Sequence, residues 1–368
     1  MQNKVLRKAL MAGASKVDIT PPPGIKMCGY AARTAGALSV HDPLYARVVI
    51  LSDGSCRLAI VSADLAYLYS ERIISEAKRK WGLEHVILSA THTHSGPNLQ
   101  ASPWHSAMED KVIAAIGAAM QKMFRARIGA GHCRVGGPYF AYNRRLVEED
   151  GKVTMLWTNP GRRMVGPVDP LARIIRIDDM TGKPRAVIVN YAAHAVVLGT
   201  GNLHISADYP GAMVNYMEKE LDGKCMAMFL QGGGGDVHPY ESVLDGNSYG
   251  FEIVRQTGIA LGSQVLRATK NIKTNLPEKY GFLKVDETSL KLHRTADQSK
   301  IEEIGVMAGI IDSRIAFAAI SGEPFVQHQL DLAAKSPIRN TLLLGYAFFG
   351  RGIPLPTYLP SRPALPAR

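Results

Sequence analysis

Cysteine is scarce in this sequence and is not arranged for cross-linking. The 368 residues include four cysteines, which are widely separated and form no Cys-x-x-Cys pair. This spacing argues against a thiolate zinc site and against a disulfide framework. The sequence therefore predicts reduced cysteines and a cytoplasmic location.

Long apolar runs are also lacking. No segment approaches the roughly 20 apolar residues of a membrane-spanning helix, so we expect no transmembrane segment. No apolar stretch of signal-peptide type follows the basic first residues. The formal net charge is +11, yet no dense block of lysine and arginine is interleaved with aromatic residues. We therefore expect no nucleic-acid partner, and the charge indicates a solvated basic surface or an attraction to anionic ligands.

The composition is otherwise that of an ordinary globular protein, with 46% hydrophobic and 20% charged residues. The chain shows no internal repeat, no low-complexity tract and no linker. A chain of this length can bury a sizeable core. We expect a single catalytic domain over residues 1–368.

Short apolar runs recur along the chain and are often bounded by turn residues. Most do not alternate with polar residues, which is typical of strands buried on both faces of a sheet. Two other segments, 284–292 and 325–330, do alternate and predict half-exposed strands. The buried strands are predicted at residues 47–51, 58–62, 86–90, 174–177, 186–191, 226–230, 315–320 and 341–346.

Helical patterns lie between several of these strands. Ile73, Ala77 and Trp81 are spaced four residues apart before Gly82, which predicts a helix that stops there. Pro210 suits the first turn of another helix. The fold class is therefore α/β, with mixed β-sheets flanked by helices. Helices are predicted at residues 70–81, 108–124, 211–221 and 248–270.

Side chains that can carry chemistry follow the ends of several predicted strands. One strand runs into His92 and His94, and another ends three residues before His194. A third leads through four glycines to Asp236, and a fourth is followed by Glu323. Because ligands bind at the carboxyl ends of strands in open α/β sheets, we expect these side chains to line one crevice.

The pair formed by His92 and His94 is the strongest local signal. In a His-x-His sequence on an extended segment, both side chains point to the same side, because the side-chain period of a strand is two. Two imidazoles at that spacing suit a divalent metal. The alternative is a pair of hydrogen-bonded histidines in a turn, since Gly96 and Pro97 follow closely.

The remaining candidates carry less information by themselves. A lone histidine such as His194 is compatible with a structural role, and a loop glutamate such as Glu323 with simple solvation. The four glycines before Asp236 lack the Gly-Lys-Ser/Thr of a P-loop, but they permit close approach of the backbone to a ligand. Asp236 and His238 are predicted to support the site or to transfer protons, with a flexible turn as the alternative.

At these residues the sequence resembles the neutral/alkaline non-lysosomal ceramidase family, and the resemblance extends from Ala14 to about Thr357. Its most specific match is the Thr-His-Thr-His-Ser-Gly-Pro motif at 91–97. The resemblance implies the α/β catalytic domain of the family, whose members are zinc amidases that cleave the N-acyl bond of ceramide. Supporting matches lie at 14–22, Asn143, Arg144, His194, 206–211, 235–239 and 322–325.

The resemblance also implies roles for individual residues. His92, His194 and Glu323 match zinc ligands of the family. His94 and Arg144 match polar active-site residues near the metal.

Three departures from the family pattern concern the site and the C-terminus. The family has a serine where this chain has His238. It also uses a tyrosine as a further zinc ligand where this chain aligns Pro354, and Tyr346 and Tyr358 are both candidates to replace it. We expect the family's additional C-terminal β-domain to be absent.

The sequence thus predicts a zinc-dependent hydrolase that uses metal-activated water to cleave an amide, or an ester or lactone. Arg144 is expected to stabilise the developing oxyanion, and His94 or His238 to move protons. The substrate is expected to be a small molecule that is smaller and more polar than ceramide. The alternatives are an inactive or metal-free binding protein on the same fold and a phosphate-handling enzyme.

Overall fold

The protein is represented by a computed structural model that describes residues 9–99, 103–137, 140–277, 282–293, 298–350 and 358–359. Its helices are α1 (Glu71–Trp81), α2 (Pro103–Gln121), α3 (Asp208–Glu220), α4 (Ser248–Asn271) and α5 (Val326–Lys335). Its strands are β1 (Met11–Asp18), β2 (Ser39–Val40), β3 (Tyr45–Ser52), β4 (Arg57–Ala63), β5 (His85–Ala90), β6 (Phe124–Arg134), β7 (Tyr142–Asn143), β8 (Arg145–Val147), β9 (Val153–Met155), β10 (Leu171–Asp179), β11 (Pro184–Tyr191), β12 (His204–Ile205), β13 (Met226–Gln231), β14 (Val237–His238), β15 (Leu283–His293), β16 (Ile301–Ile311), β17 (Ile315–Ile320), β18 (Glu323–Pro324), β19 (Asn340–Leu344), β20 (Ala347–Phe348) and β21 (Tyr358–Leu359).

Two sheets form the body of the fold. The larger has nine strands in the order β13-β11-β10-β6-β1-β3-β4-β5-β20. Its pairs are antiparallel except β11 with β13 and β4 with β5, which are parallel. The smaller has four strands in the order β15-β16-β17-β19, with β17 and β19 parallel. The sequence prediction of mixed sheets in an α/β fold is confirmed.

The two faces of the nine-stranded sheet are covered by different layers. On one face, Val48 and Ile50 pack with α1 and α2, and α3 and α4 cover the other half of that face. On the opposite face, Val49 packs with Phe317 and Leu344 of the four-stranded sheet. Burial on both faces explains why these strands are apolar without alternation.

Local signals fix some helix ends. The Ser70 hydroxyl accepts a hydrogen bond from the backbone N–H of Ile73, and Gly82 closes α1 in the left-handed conformation with φ 59°. Serine at the start and glycine after the end are the expected caps. The sequence therefore predicts this helix almost to the residue.

The strand predicted at 325–330 is wrong, because this segment begins α5. Buried Val326 and Gln329 lie three residues apart, which is a helical spacing. The backbone N–H of Val326 donates to a carboxylate oxygen of Asp236 at 2.8 Å, so a distant acidic residue stabilises the first turn. An alternating pattern of six residues does not reveal that contact.

Other predicted helix and strand boundaries also differ from those in the structure. The helix predicted at 108–124 ends at Gln121, and Phe124 instead begins β6. The strand predicted at 341–346 ends at Leu344, before Tyr346 adopts the left-handed conformation with φ 54°. Strands β1 and β6 were not predicted, because glycines such as Gly13 interrupt their apolar pattern.

The sequence predicts no transmembrane segment and no disulfide framework, and the structure can be compared with each. Among the described residues, no helix is both long and apolar enough to cross a bilayer. The thiols of the four cysteines form no disulfide bond.

Candidate metal centre

His92 lies in a strained turn directly after β5. Its φ is 64°, a left-handed value that is uncommon for a residue with a side chain. The backbone N–H of His92 donates to Leu65 at 2.9 Å, and the ring Nδ1 lies 2.8 Å from the carbonyl oxygen of Ala66. His92 was predicted on an extended segment, and its left-handed φ shows that this prediction is wrong. Backbone strain of this kind is concentrated at functional sites.

His194 is held just as firmly after β11. Its backbone N–H donates to Val237 at 2.9 Å, and its ring Nδ1 lies 2.6 Å from the carbonyl oxygen of Gly234. A carbonyl oxygen only accepts, so Nδ1 carries the proton in both His92 and His194. The Nε2 atoms of both rings therefore face the interior of the site.

Glu323 completes this arrangement from the start of β18. Its Oε1 lies 2.8 Å from Nε2 of His194 and 3.6 Å from Nε2 of His92. A lone pair and a carboxylate oxygen at such a distance repel each other unless a proton or a metal ion lies between them. Burial, followed by the nearby charge of Arg144, lowers the pKa of His194 to about 4, which disfavours the proton.

His94 adds a further nitrogen to the group. Its Nε2 lies 2.9 Å from Nε2 of His92. One ring nitrogen from each of His92, His94 and His194 falls within 4.8 Å of the others, so this buried triad can hold a metal ion. Burial holds the pKa of His94 well below its ordinary value, which keeps the ring neutral.

These spacings fit zinc. Bonds of 2.0–2.1 Å in a tetrahedral site place neighbouring ligand atoms about 3.3 Å apart. The separations of 2.8, 2.9 and 3.6 Å lie on both sides of that value, and the triad nitrogens lie within 4.8 Å of one another, so metal binding would draw some of these atoms closer. The structure thus brings together the predicted ligands His92, His194 and Glu323, with His94 beside them. Their assignment as ligands stays a prediction.

Arg144 lies next to the histidines, between β7 and β8. Its backbone N–H donates to Asp236 at 2.7 Å, and its side chain is 2% exposed. One guanidinium nitrogen contacts His238 and the other donates to the carbonyl oxygen of Gly235 at 2.8 Å. The ring of Trp157 covers the guanidinium, with the Cζ atom 5.2 Å from the ring centroid. The position of Arg144 is compatible with the predicted oxyanion role.

Asp236 connects separate segments of the chain. One carboxylate oxygen accepts from Val326 of α5, and the other accepts from the side-chain amide of Asn143 at 2.8 Å. Burial raises the pKa of Asp236. Both oxygens are therefore engaged in holding the segments that carry Arg144 and Glu323, and the predicted proton transfer by Asp236 stays a prediction.

The glycine-rich loop does not cradle a phosphate. The backbone N–H groups of its four glycines already donate within the protein, to Tyr191, Gln329, Gly232 and Pro324 in chain order. A Cβ at Gly235 would lie 2.9 Å from the carbonyl oxygen of Glu323. The close approach that the glycines permit is therefore to other backbone segments, and the phosphate-handling alternative has no support from this loop.

One wall of the site was not predicted from the sequence. Residues 26–35 line a cavity of about 670 Å³ that reaches His92, His94 and Glu323. Gly29 has φ 100°, and a Cβ there would lie 2.5 Å from Cβ of His94. The glycine after Cys28 is the only trace of this contact in the sequence, and a lone glycine is too common to reveal it.

Gly29→Ala is expected to displace His94 and to lower turnover on the order of 100-fold, the cost of misplacing a reacting group by about 1 Å. Overpacking should also lower the free energy of unfolding by about 1–3 kcal/mol. Gly24→Ala is the matched control, because Gly24 has φ 87° but no neighbouring atom within 4 Å of an added Cβ. Steady-state kinetics and thermal unfolding of both variants test this. Equal turnover in the two variants would contradict the steric argument.

Two tyrosines were candidates for a further ligand. Tyr346 is buried, and its ring centroid lies 4.1 Å from that of His92. Tyr358 pairs through its backbone with Glu323 in the short β18–β21 sheet. Both therefore lie beside a predicted ligand in the fold, and the role of either as a ligand stays a prediction.

The fold places this site on a known scaffold. The crystal structure of the neutral ceramidase from Pseudomonas aeruginosa superposes with a TM-score of 0.73 at 17% sequence identity, covering 92% of this chain and 68% of that chain. This likeness establishes the fold as that of the ceramidase.

The sequence comparisons agree. Residues 10–348 match the family described as neutral/alkaline non-lysosomal ceramidase, N-terminal. Neutral ceramidase A of Dictyostelium discoideum is 27% identical over 62% of this chain and 35% of its own length. The neutral ceramidase of P. aeruginosa is 24% identical over 67% of this chain and 40% of its own length.

The chain belongs to the neutral/alkaline non-lysosomal ceramidase family. It is a distant member, and it spans less than half the length of the curated relatives just named. The family resemblance predicted from the sequence is confirmed. The chain has the hydrolase fold of the family, with a buried histidine triad that can bind a metal ion.

Proposed function

We propose that the protein is a zinc-dependent hydrolase that cleaves an amide, or an ester or lactone, in a small polar substrate. The observation that carries this proposal is the 2.8 Å approach of Nε2 of His194 to the carboxylate of Glu323. Since Nδ1 of His194 already donates to Gly234, that approach calls for a proton on Nε2 or a metal ion between the two groups, and the lowered pKa of His194 favours the metal ion. Nitrogen and carboxylate ligands in this arrangement are those of catalytic zinc sites.

When bound, zinc activates water for attack on a carbonyl and polarises that carbonyl. His92 and His194 are already in the tautomer that ligation requires, because backbone carbonyls hold their Nδ1 protons. Glu323 supplies the negative charge that offsets the cation.

The two remaining polar groups move protons and stabilise charge. His94 lines the cavity, and its Nδ1 makes no hydrogen bond with the described residues. A neutral imidazole there can accept the proton that leaves the attacking water. Arg144 supplies a fixed positive charge for the developing oxyanion.

The cavity favours a small and polar substrate. A volume of about 670 Å³ is within the range of small-molecule sites. Its lining includes Lys26, Arg33 and Asn98, and Glu323 is the single carboxylate among the lining residues. The relatives are named as ceramidases, which supports an N-acyl compound as the substrate class. We also propose a cytoplasmic location, which four unpaired thiols support.

A substrate panel tests this function. Zinc-loaded protein is assayed against short-chain N-acyl amides, small esters, lactones and long-chain ceramide in mixed micelles. We expect turnover of at least one small class and a far lower kcat/KM for long-chain ceramide. Comparable rates on ceramide would contradict the substrate proposal. Protein without zinc and without turnover of any class would instead support a binding protein on the same fold.

A further inference from the structure

His238 is a buried histidine that the metal centre does not use. It lies in β14, and its ring centroid is 5.1 Å from that of His194. The triad that can hold a metal consists of other residues. Its ring makes a polar contact with Arg144, whose Nη1 lies 3.0 Å from Nε2 of His238.

The chemistry of the guanidinium decides the state of this ring. An arginine side chain carries only donors and keeps its charge at all ordinary pH values. Nε2 of His238 must therefore accept, which places the ring proton on Nδ1. A proton on Nε2 would place an N–H group of the ring against an N–H group of Arg144. A ring protonated on both nitrogens would also place one cation against another. His238 thus cannot deliver a proton from Nε2 while it contacts Arg144.

The same contact also argues against His238 as a metal ligand. Its Nε2 lone pair is directed at Arg144 and is not available to a metal ion.

Arg144 is fixed on three sides by this arrangement. His238 accepts from Nη1, the carbonyl oxygen of Gly235 accepts from Nη2, and the ring of Trp157 covers the guanidinium. A free arginine side chain loses rotamer entropy when it is held in one position, so a charge that must meet a substrate gains from being held in advance. Arg144 contacts His238, whose ring centroid is 5.1 Å from that of His194, so the guanidinium lies near the candidate metal centre.

We propose that His238 is a positioning residue, which in its neutral Nδ1-protonated form holds the guanidinium of Arg144 against the histidine cluster before a substrate binds. The effect of this positioning on turnover rests on the proposed hydrolase function. The geometry itself does not depend on turnover or on a bound metal.

Two substitutions separate positioning from chemistry. In His238→Gln the side-chain oxygen can take the place of Nε2 and accept from Arg144. In His238→Leu no acceptor remains, although the side chain still fills the space. We expect His238→Leu to lower kcat about 10- to 100-fold, the usual cost of losing an orienting partner, with little change in KM or zinc content. We expect His238→Gln to recover most of that loss.

A readout without turnover accompanies the kinetics. Nitrogen-15 NMR of the metal-free protein reports which ring nitrogen carries the proton, with the His238 signals assigned by their absence in His238→Gln. We expect a protonated Nδ1 and an unprotonated Nε2. A double-mutant cycle of His238→Leu with Arg144→Met, measured by urea unfolding, should show that the two residues are coupled.

These outcomes decide the proposal whether or not the protein is a hydrolase. A proton on Nε2, or an absence of coupling in the cycle, would overturn the positioning role even if turnover is observed. Equal losses of kcat in the glutamine and leucine variants would also overturn it, since the ring would then act directly. If no substrate of the panel is turned over, the expected tautomer and coupling still support the positioning role, and only the hydrolase proposal fails.

Discussion

Replacing His92 and His194 together with alanine is expected to reduce zinc from about one ion per chain to nearly none and to abolish turnover. Each ring is oriented by a backbone carbonyl, and together they present lone pairs next to Glu323. Without them, only Glu323 and His94 remain of the four grouped side chains, which is fewer than the three protein ligands of catalytic zinc sites.

Metal analysis of protein purified without chelators measures this, with His132→Ala as the matched control because His132 is exposed on β6. Thermal unfolding must be measured beside zinc content, because the double variant leaves the buried carboxylate of Glu323 without its histidine partners. Full zinc retention in the double variant would contradict the assignment of His92 and His194 as zinc ligands. Loss of zinc with unchanged hydrolysis would show that turnover does not depend on this centre.

Replacing Arg144 is expected to give the opposite pattern, with zinc retained and catalysis lost. Removal of a single oxyanion-stabilising donor typically lowers kcat on the order of 100- to 1,000-fold. Arg144→Lys keeps the positive charge but lacks the fork that contacts both His238 and Gly235, so it should not restore the rate.

Stability must be followed beside kinetics, because the carbonyl oxygen of Gly235 loses its partner in Arg144→Met, at a cost of about 1–3 kcal/mol. Arg163→Met is the matched control, since Arg163 is exposed and only its backbone takes part in the hydrogen bonds of its loop. Wild-type kcat in Arg144→Lys would show that charge alone is sufficient. Wild-type kcat in Arg144→Met would exclude an oxyanion role.

Much of the fold follows from the sequence because strands buried on two faces leave a continuous apolar run. The predicted strands at 186–191 and 226–230 agree with β11 and β13 to within two residues. The capping residues Ser70 and Gly82 give the limits of α1. Segments with ambiguous patterns failed, as α5 shows, because a distant carboxylate and not local periodicity stabilises its start.

The sequence by itself determined the candidates of the site and the family of the protein. His92, His94, His194 and Glu323 were selected by residue type and by their positions after apolar strands, and the motif at 91–97 indicated the family. These are local properties, so they can be read without knowledge of the fold.

Only the tertiary structure decided how these residues act on one another. It places His92 in a left-handed turn, directs the Nε2 atoms of His92 and His194 towards one carboxylate and fixes Arg144 against His238. Each of these contacts joins residues far apart in the chain. Tautomers, pKa shifts and side-chain orientation depend on such distant partners, and no local pattern of the sequence records which partners meet.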